Sequence, residues 1–149
     1  MDISPTAVAA AQANVPAGTF RCHNLGEENL SLGTGFDVVF AIDVTQHVVE
    51  KRKLMTFLRN MQGAAKPGGL IFVTSYVGWG DRSPGQQRGI EKLVPAVRFV
   101  ALWDRDTIAS GLPEGRLVHV GEFWDKAMLV FRRRPKSETA FGTHETANR

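Results

Sequence analysis

The run FDVVFAIDVTQHV, residues 36–48, followed after one helix-length by AKPGGLIFVTS, residues 65–75, constrains the fold more than any other part of the chain. It reads as strand, loop, helix, tight turn, strand, which is one βαβ unit. Val38, Val39, Phe40, Ala41 and Ile42 form an almost unbroken apolar run, as a strand covered on both faces of a parallel sheet requires. Polarity then begins abruptly at Asp43. Ligands of open α/β sheets sit outside the carboxyl ends of the strands, so Asp43, Thr45, Gln46 and His47 fall where such a fold does its chemistry.

Around this unit, Ser4 as N-cap and Pro5 as first helical residue predict an alanine-rich helix over Pro5 to Asn14, packed closely on a sheet. TFRCHNL, residues 19–25, reads as a short strand, and a glycine-bearing loop from Gly26 to Gly35 follows, with Gly33 and Gly35 as its punctuation. Leu54, Met55, Phe57, Leu58 and Met61 recur at helical spacing, predicting a helix from Glu50 to Ala64 with Lys51, Arg52, Arg59 and Asn60 outward. Beyond the strand Leu70 to Val77 lie a Gly- and Pro-rich loop, Gly78 to Gly89, a helix or irregular cap over Ile90 to Val100, and a short helix near Asp104 to Ser110. GRLVHVGEF and KAMLVFRRR alternate as two strands joined by a Trp124-Asp125 turn. The tail from Pro135 lacks periodicity and is expected to be disordered.

Four of these segments resemble class I S-adenosylmethionine-dependent methyltransferases, in the family's order. FDVVFAIDVTQHV is similar to the fourth-strand motif, KPGGLIFVTS to the turn and fifth strand, MDISPTAVAAAQ to the end of the second strand and the next helix, and EFWDKAMLVFRRR to the final antiparallel pair. The resemblance implies a Rossmann-like α/β domain over residues 1–134 with a C-terminal antiparallel strand pair, ahead of the tail 135–149. It also implies S-adenosylmethionine as cofactor and a small-molecule methyl acceptor. The family's first strand and its glycine-rich loop have no counterpart before Asp2, so the expected sheet is incomplete and the chain N-terminally truncated. An exposed sheet edge and homo-oligomerisation through it are the expected consequences.

The resemblance assigns roles residue by residue. Asp2 stands where an acidic residue accepts hydrogen bonds from both ribose hydroxyls; equally, its carboxylate can favour the adjacent helix N-terminus. Asn24 stands where an Asp or Asn binds the adenine amino group, with Leu25 packing near the ring, or else it terminates a strand by bonding its own backbone. Ile42 and Asp43 flank the cofactor, although Asp43 can instead cap the following turn. His47 can relay a proton from the acceptor as a methyl group moves, or simply pack as a hydrogen-bonded wall of the pocket.

Composition narrows the field further. A chain of 149 residues fits one domain, able to bury about 70% of its unfolded surface. The single cysteine, Cys22, permits no internal disulfide and reads as a small core residue, which with the lack of a signal peptide favours a cytoplasmic setting. No apolar run approaches the roughly 20 residues of a membrane span. The net charge of +3 is modest, so nucleic-acid binding is not favoured, and Arg132 to Arg134 read as a solvated strand end. His23, His119 and His144 are too dispersed to suggest a metal site. Two functions compete: a methyltransferase domain, and a non-catalytic binding or oligomerisation module on the same fold. A nicotinamide-dependent dehydrogenase is weaker, since its glycine fingerprint is missing and Tyr76 has no lysine four residues on.

Overall fold

The computed structural model describes residues 1–27, 30, 32–75, 101, 103–124 and 126–135. Among them the order is α1 (Pro5–Asn14), β1 (Phe36–Ala41), a 3₁₀ turn (Thr45–His47), α2 (Lys51–Ala64), β2 (Ala65–Ser75), α3 (Arg105–Ser110), β3 (Gly115–Phe123) and β4 (Lys126–Arg133). The expected loop Gly78 to Gly89, the helix Ile90 to Val100, the strand end at Tyr76 and Val77, Asp125 and the tail beyond Pro135 lie outside the described residues.

The four strands form one sheet in the order β1-β2-β4-β3. β1 and β2 run parallel with Val38 opposite Leu70 and Phe40 opposite Phe72, joined through α2 as the βαβ pattern predicts. β2 and β4 are antiparallel, Ile71 facing Phe131 and Ser75 facing Ala127, and β3 and β4 form the antiparallel pair at the far edge. This is the mixed α/β sheet that the sequence implies.

The period of α2 decides which sheet face is closed. Leu54, Phe57, Leu58 and Met61 fall on one stripe and are buried against Ala41, Ile71, Val73, Leu129 and Phe131, with Ile108 and Leu112 completing the cluster. α2 passes into β2 without a spacer, and the turn expected at Lys66 to Gly69 is absorbed into the first residues of that strand, where Gly68 has φ +80°. A Cβ on Gly69 would stand 2.9–3.2 Å from the carbonyl oxygens of Lys66, Phe36 and Asp37, so only glycine lets β1 and β2 approach there. Lys66 also pairs with Asp37, holding that exposed carboxyl below its ordinary range.

Several expectations change. Cys22 is exposed, its thiol near the carbonyl of Ile3, because TFRCHNL contributes only a single parallel bridge, Cys22 to Asp2, rather than a covered strand. α1 has the expected cap, with Ser4 Oγ accepting the Ala7 N–H at 3.2 Å, yet none of its residues is buried. Its alanines offer no large apolar stripe to seat on a sheet. Arg133 is not a solvated end: its guanidinium donates to Glu114 at 2.9 Å and to the carbonyls of Ala65 and Gly63 at 2.5 and 3.4 Å, satisfying groups left open where α2 ends.

Asp104 caps α3 as expected, its carboxylate accepting the Thr107 N–H at 2.6 Å. Hydrogen bonding from the Thr107 backbone and side chain holds this carboxyl below its ordinary value. Because the folded value is the lower one, the contribution to stability is full above the unfolded pKa of 3.8 and disappears as pH falls through the folded value. Asp104→Ala should therefore cost about 1 kcal/mol at neutral pH. In urea melts the gap between variant and wild type should close in acid; a gap that persists there would mean that the charged cap is not its source.

Candidate functional site

Where β1 ends, the chain turns through an uncommon conformation. Asp43 has φ +57°, a left-handed value uncommon outside glycine, although aspartate is among the side chains that tolerate it best. The holding groups are visible. The Asp43 N–H donates to Thr74 Oγ1 at 2.8 Å, while Thr45 Oγ1 donates to the Thr74 carbonyl at 2.8 Å. Both threonines are buried, so the loop after β1 is clipped to the end of β2 by two bonds, one buried and one partly buried.

The 3₁₀ turn Thr45–His47 is pinned from a third side. Trp103 Nε1 donates to the carbonyls of Thr45 and Val48 at 3.2 and 3.0 Å, Ser75 Oγ donates to the Trp103 carbonyl at 3.2 Å, and the Ala101 N–H donates to the Gln46 carbonyl at 2.7 Å. Gln46 is 5% exposed and its Oε1 is buried without a hydrogen-bond partner among the described residues. His47 follows it at the exposed rim of the turn.

The carboxylate of Asp43 meets a lysine from the far side of the sheet. Lys126 Nζ lies 3.2 Å from Asp43 Oδ1, with the lysine side chain 10% exposed and the aspartate side chain 52% exposed. Lys126 opens β4, beside the residue paired with Ser75 at the end of β2, so the ends of three adjacent strands converge on this mouth.

The other sequence-predicted residues form a second group. Asp2 and Cys22 make their parallel bridge through the Asp2 N–H to Arg21 O at 3.2 Å and the His23 N–H to Asp2 O at 3.0 Å. Asp2 Oδ1 accepts the Ser4 N–H at 2.8 Å, and Asn24 Oδ1 accepts the Gly26 N–H at 3.0 Å in a local turn. Leu25 packs on the core cluster while its carbonyl accepts from Asn60 Nδ2 at 2.9 Å, which ties this group to α2. Ile42 is exposed beside Asp43. Sequence reading named Asp43, Gln46 and His47 at the mouth but missed Thr74, Trp103 and Lys126. Their only local signals are the polar Thr-Ser that ends an apolar strand and a lone lysine that opens another.

Comparison with known proteins identifies the architecture. A methyltransferase-domain family matches residues 1–71. Over that stretch the chain is similar to methyltransferase domains. It is 35% identical over 78 residues to a ubiquinone biosynthesis O-methyltransferase of Methylobacterium nodulans, a match over 50% of this chain and 30% of that protein. An O-methyltransferase family protein from Burkholderia thailandensis superposes with a TM-score of 0.70 at 21% identity, over 91% of this chain and 43% of that one. The N-methyltransferase NodS from Bradyrhizobium japonicum, solved in complex with S-adenosyl-L-homocysteine, gives 0.59 at 18% identity over 89% and 64%. This chain thus spans less than half the length of the first two proteins. At such identities the structural matches establish the fold.

The chemistry of the polar groups suits S-adenosylmethionine. Asp2 and Asp43 are exposed carboxylates, acceptors for the hydroxyl and ammonium donors of such a cofactor, and the Asn24 amide can both donate and accept. Among the described residues there is no group of three or more metal-ligating side chains, and no helix long and apolar enough to cross a membrane.

Proposed function

We propose that this chain takes part in S-adenosylmethionine-dependent methyl transfer to a small-molecule acceptor in the cytoplasm. The observation that carries the proposal is Asp43, held in a left-handed turn at the end of β1 by Thr74 and half-exposed at the mouth. A left-handed residue held by a bond to a buried threonine, at the carboxyl end of a parallel strand, supports reading Asp43 as a ligand-positioning residue. Asp2 would hold the ribose, Asn24 and Leu25 the adenine, and Ile42 and Asp43 the side nearest the transferred group. The cofactor supplies an electrophilic methyl group on a sulfonium. His47, at the exposed rim, would take the proton released by an acceptor O–H or N–H. Methyl transfer depends mainly on proximity and in-line approach, so His47→Ala should lower turnover without abolishing it.

Calorimetric titration with S-adenosylhomocysteine tests the site. Asp43→Ala and Asn24→Ala should each weaken binding by about fivefold to tenfold, the worth of one hydrogen bond of about 1 kcal/mol. Equal affinity in both variants would move the site elsewhere.

A second reading, a binding or self-associating module, is favoured by the outer edge of β1. That edge pairs with no strand among the described residues, and on the face of β1 opposite α2 Phe36, Val38, Phe40 and the following Ile42 are all exposed, Phe40 by 67%. On this reading a second copy of the chain covers the edge. Light scattering on the 149-residue chain should then show association that Phe40→Lys abolishes. A monomer that binds S-adenosylhomocysteine at micromolar concentration would refute this reading and leave the first.

A further inference from the structure

Lys126 is the most deeply buried charged side chain among the described residues, and it sits at the mouth although 83 residues separate it from Asp43 in the chain. Lysine rarely gives up its solvation unless a partner compensates. The burial is lopsided: the cation is 10% exposed and its carboxylate partner 52%. Here the buried member is the anchor and the exposed member is the one a ligand can reach.

We propose that Lys126 is a positioning residue for the cofactor site, its ammonium holding Oδ1 of Asp43 so that the rest of the carboxylate faces the mouth. The assignment rests on reading that mouth as the cofactor site. Thr74 holds the Asp43 backbone through its N–H and Lys126 holds the side chain, so the left-handed residue is restrained at both ends from two different strands. Neither clamp comes from the turn itself. A carboxylate restrained before binding loses less freedom when it accepts a ligand's donors, and that gain appears as affinity. The start of β4 would then contribute to a site whose proposed ligand contacts lie within the first 47 residues.

The test uses Lys126→Met, Lys126→Arg, Asp43→Asn and the double variant Lys126→Met/Asp43→Asn in the full chain. S-adenosylhomocysteine affinity is read by calorimetry and amide exchange by NMR. Lys126→Met should speed exchange of the Asp43 amide by about tenfold while Leu129 and Phe131 in the core keep their protection. It should weaken S-adenosylhomocysteine by about fivefold, Lys126→Arg should restore most of that loss, and the double variant should bind no more weakly than Asp43→Asn alone. Unchanged exchange at Asp43, or losses that simply add in the double variant, would overturn the proposal. Should wild type bind no S-adenosylhomocysteine, the cofactor reading fails, and exchange at Asp43 in the free protein still decides whether Lys126 positions it. If Lys126→Met unfolds, Lys126→Gln replaces it, and unfolding of both would make Lys126 a packing residue and overturn the assignment.

Discussion

Phe131→Ala should lower the free energy of unfolding by about 3–5 kcal/mol, a large fraction of the roughly 5–15 kcal/mol that holds a domain folded. Phe131 is 1% exposed, lies opposite Ile71 on one neighbouring strand and Leu117 on the other, and belongs to the cluster that α2 closes. Its removal forfeits the burial of a whole ring and leaves a space that rigid neighbours on three strands cannot fill. Gly115 packs near the same ring, with a position for an added Cβ only 3.4 Å from Phe131 Cδ1, so even the turn into β3 is shaped to it. Urea melts should show a lower midpoint at constant slope. A loss under about 1 kcal/mol would mean that this side of the core is not closed.

The second large effect belongs to the mouth. Thr74→Val keeps the shape of the side chain and removes the oxygen that accepts the Asp43 N–H. An orphaned, partly buried donor costs about 1–3 kcal/mol, and the left-handed conformation of Asp43 loses the bond that keeps it there. The loop can recover some of that energy by relaxing, at the expense of the site. Stability should therefore fall, and S-adenosylhomocysteine affinity should fall with it by about tenfold, whereas Thr74→Ser should preserve both. Unchanged affinity in Thr74→Val would show that the conformation of Asp43 is irrelevant to binding. The threonine pair Thr45 and Thr74 would then be a stability device alone.

Local patterns were legible where the side chains themselves state the geometry. The stripe Leu54, Phe57, Leu58, Met61 faces the sheet as its spacing requires, Asp104 and Ser4 cap the helices they precede, and the apolar run before Asp43 is a strand whose carboxyl end opens the mouth. Cys22 and α1 lie open although their sequences fit a covered position, because an apolar or alanine-rich segment reveals that it can be covered, not that anything covers it. Arg133 is the opposite case: its partners, the carbonyls of Gly63 and Ala65, are backbone groups whose need for a donor appears only once α2 ends beside β4.

What this sequence determined by itself is the alternation of one strand, one helix and a second parallel strand, and hence the position of Asp43, Gln46 and His47 at a strand's carboxyl end. Hydrophobic period and turn chemistry act over a few residues and are written in consecutive letters. What only the tertiary structure decided is how those residues are held. Thr74 and Lys126 reach the mouth from 31 and 83 residues away through the register of β2 and β4, and Trp103 is brought there by its bonds to Ser75 and the 3₁₀ turn; no local spacing encodes a register between strands so far apart in the chain. That register follows from burying Ile71, Val73, Leu129 and Phe131 together on the face closed by α2, since a slip of β4 by one residue would turn Leu129 and Phe131 to the opposite face.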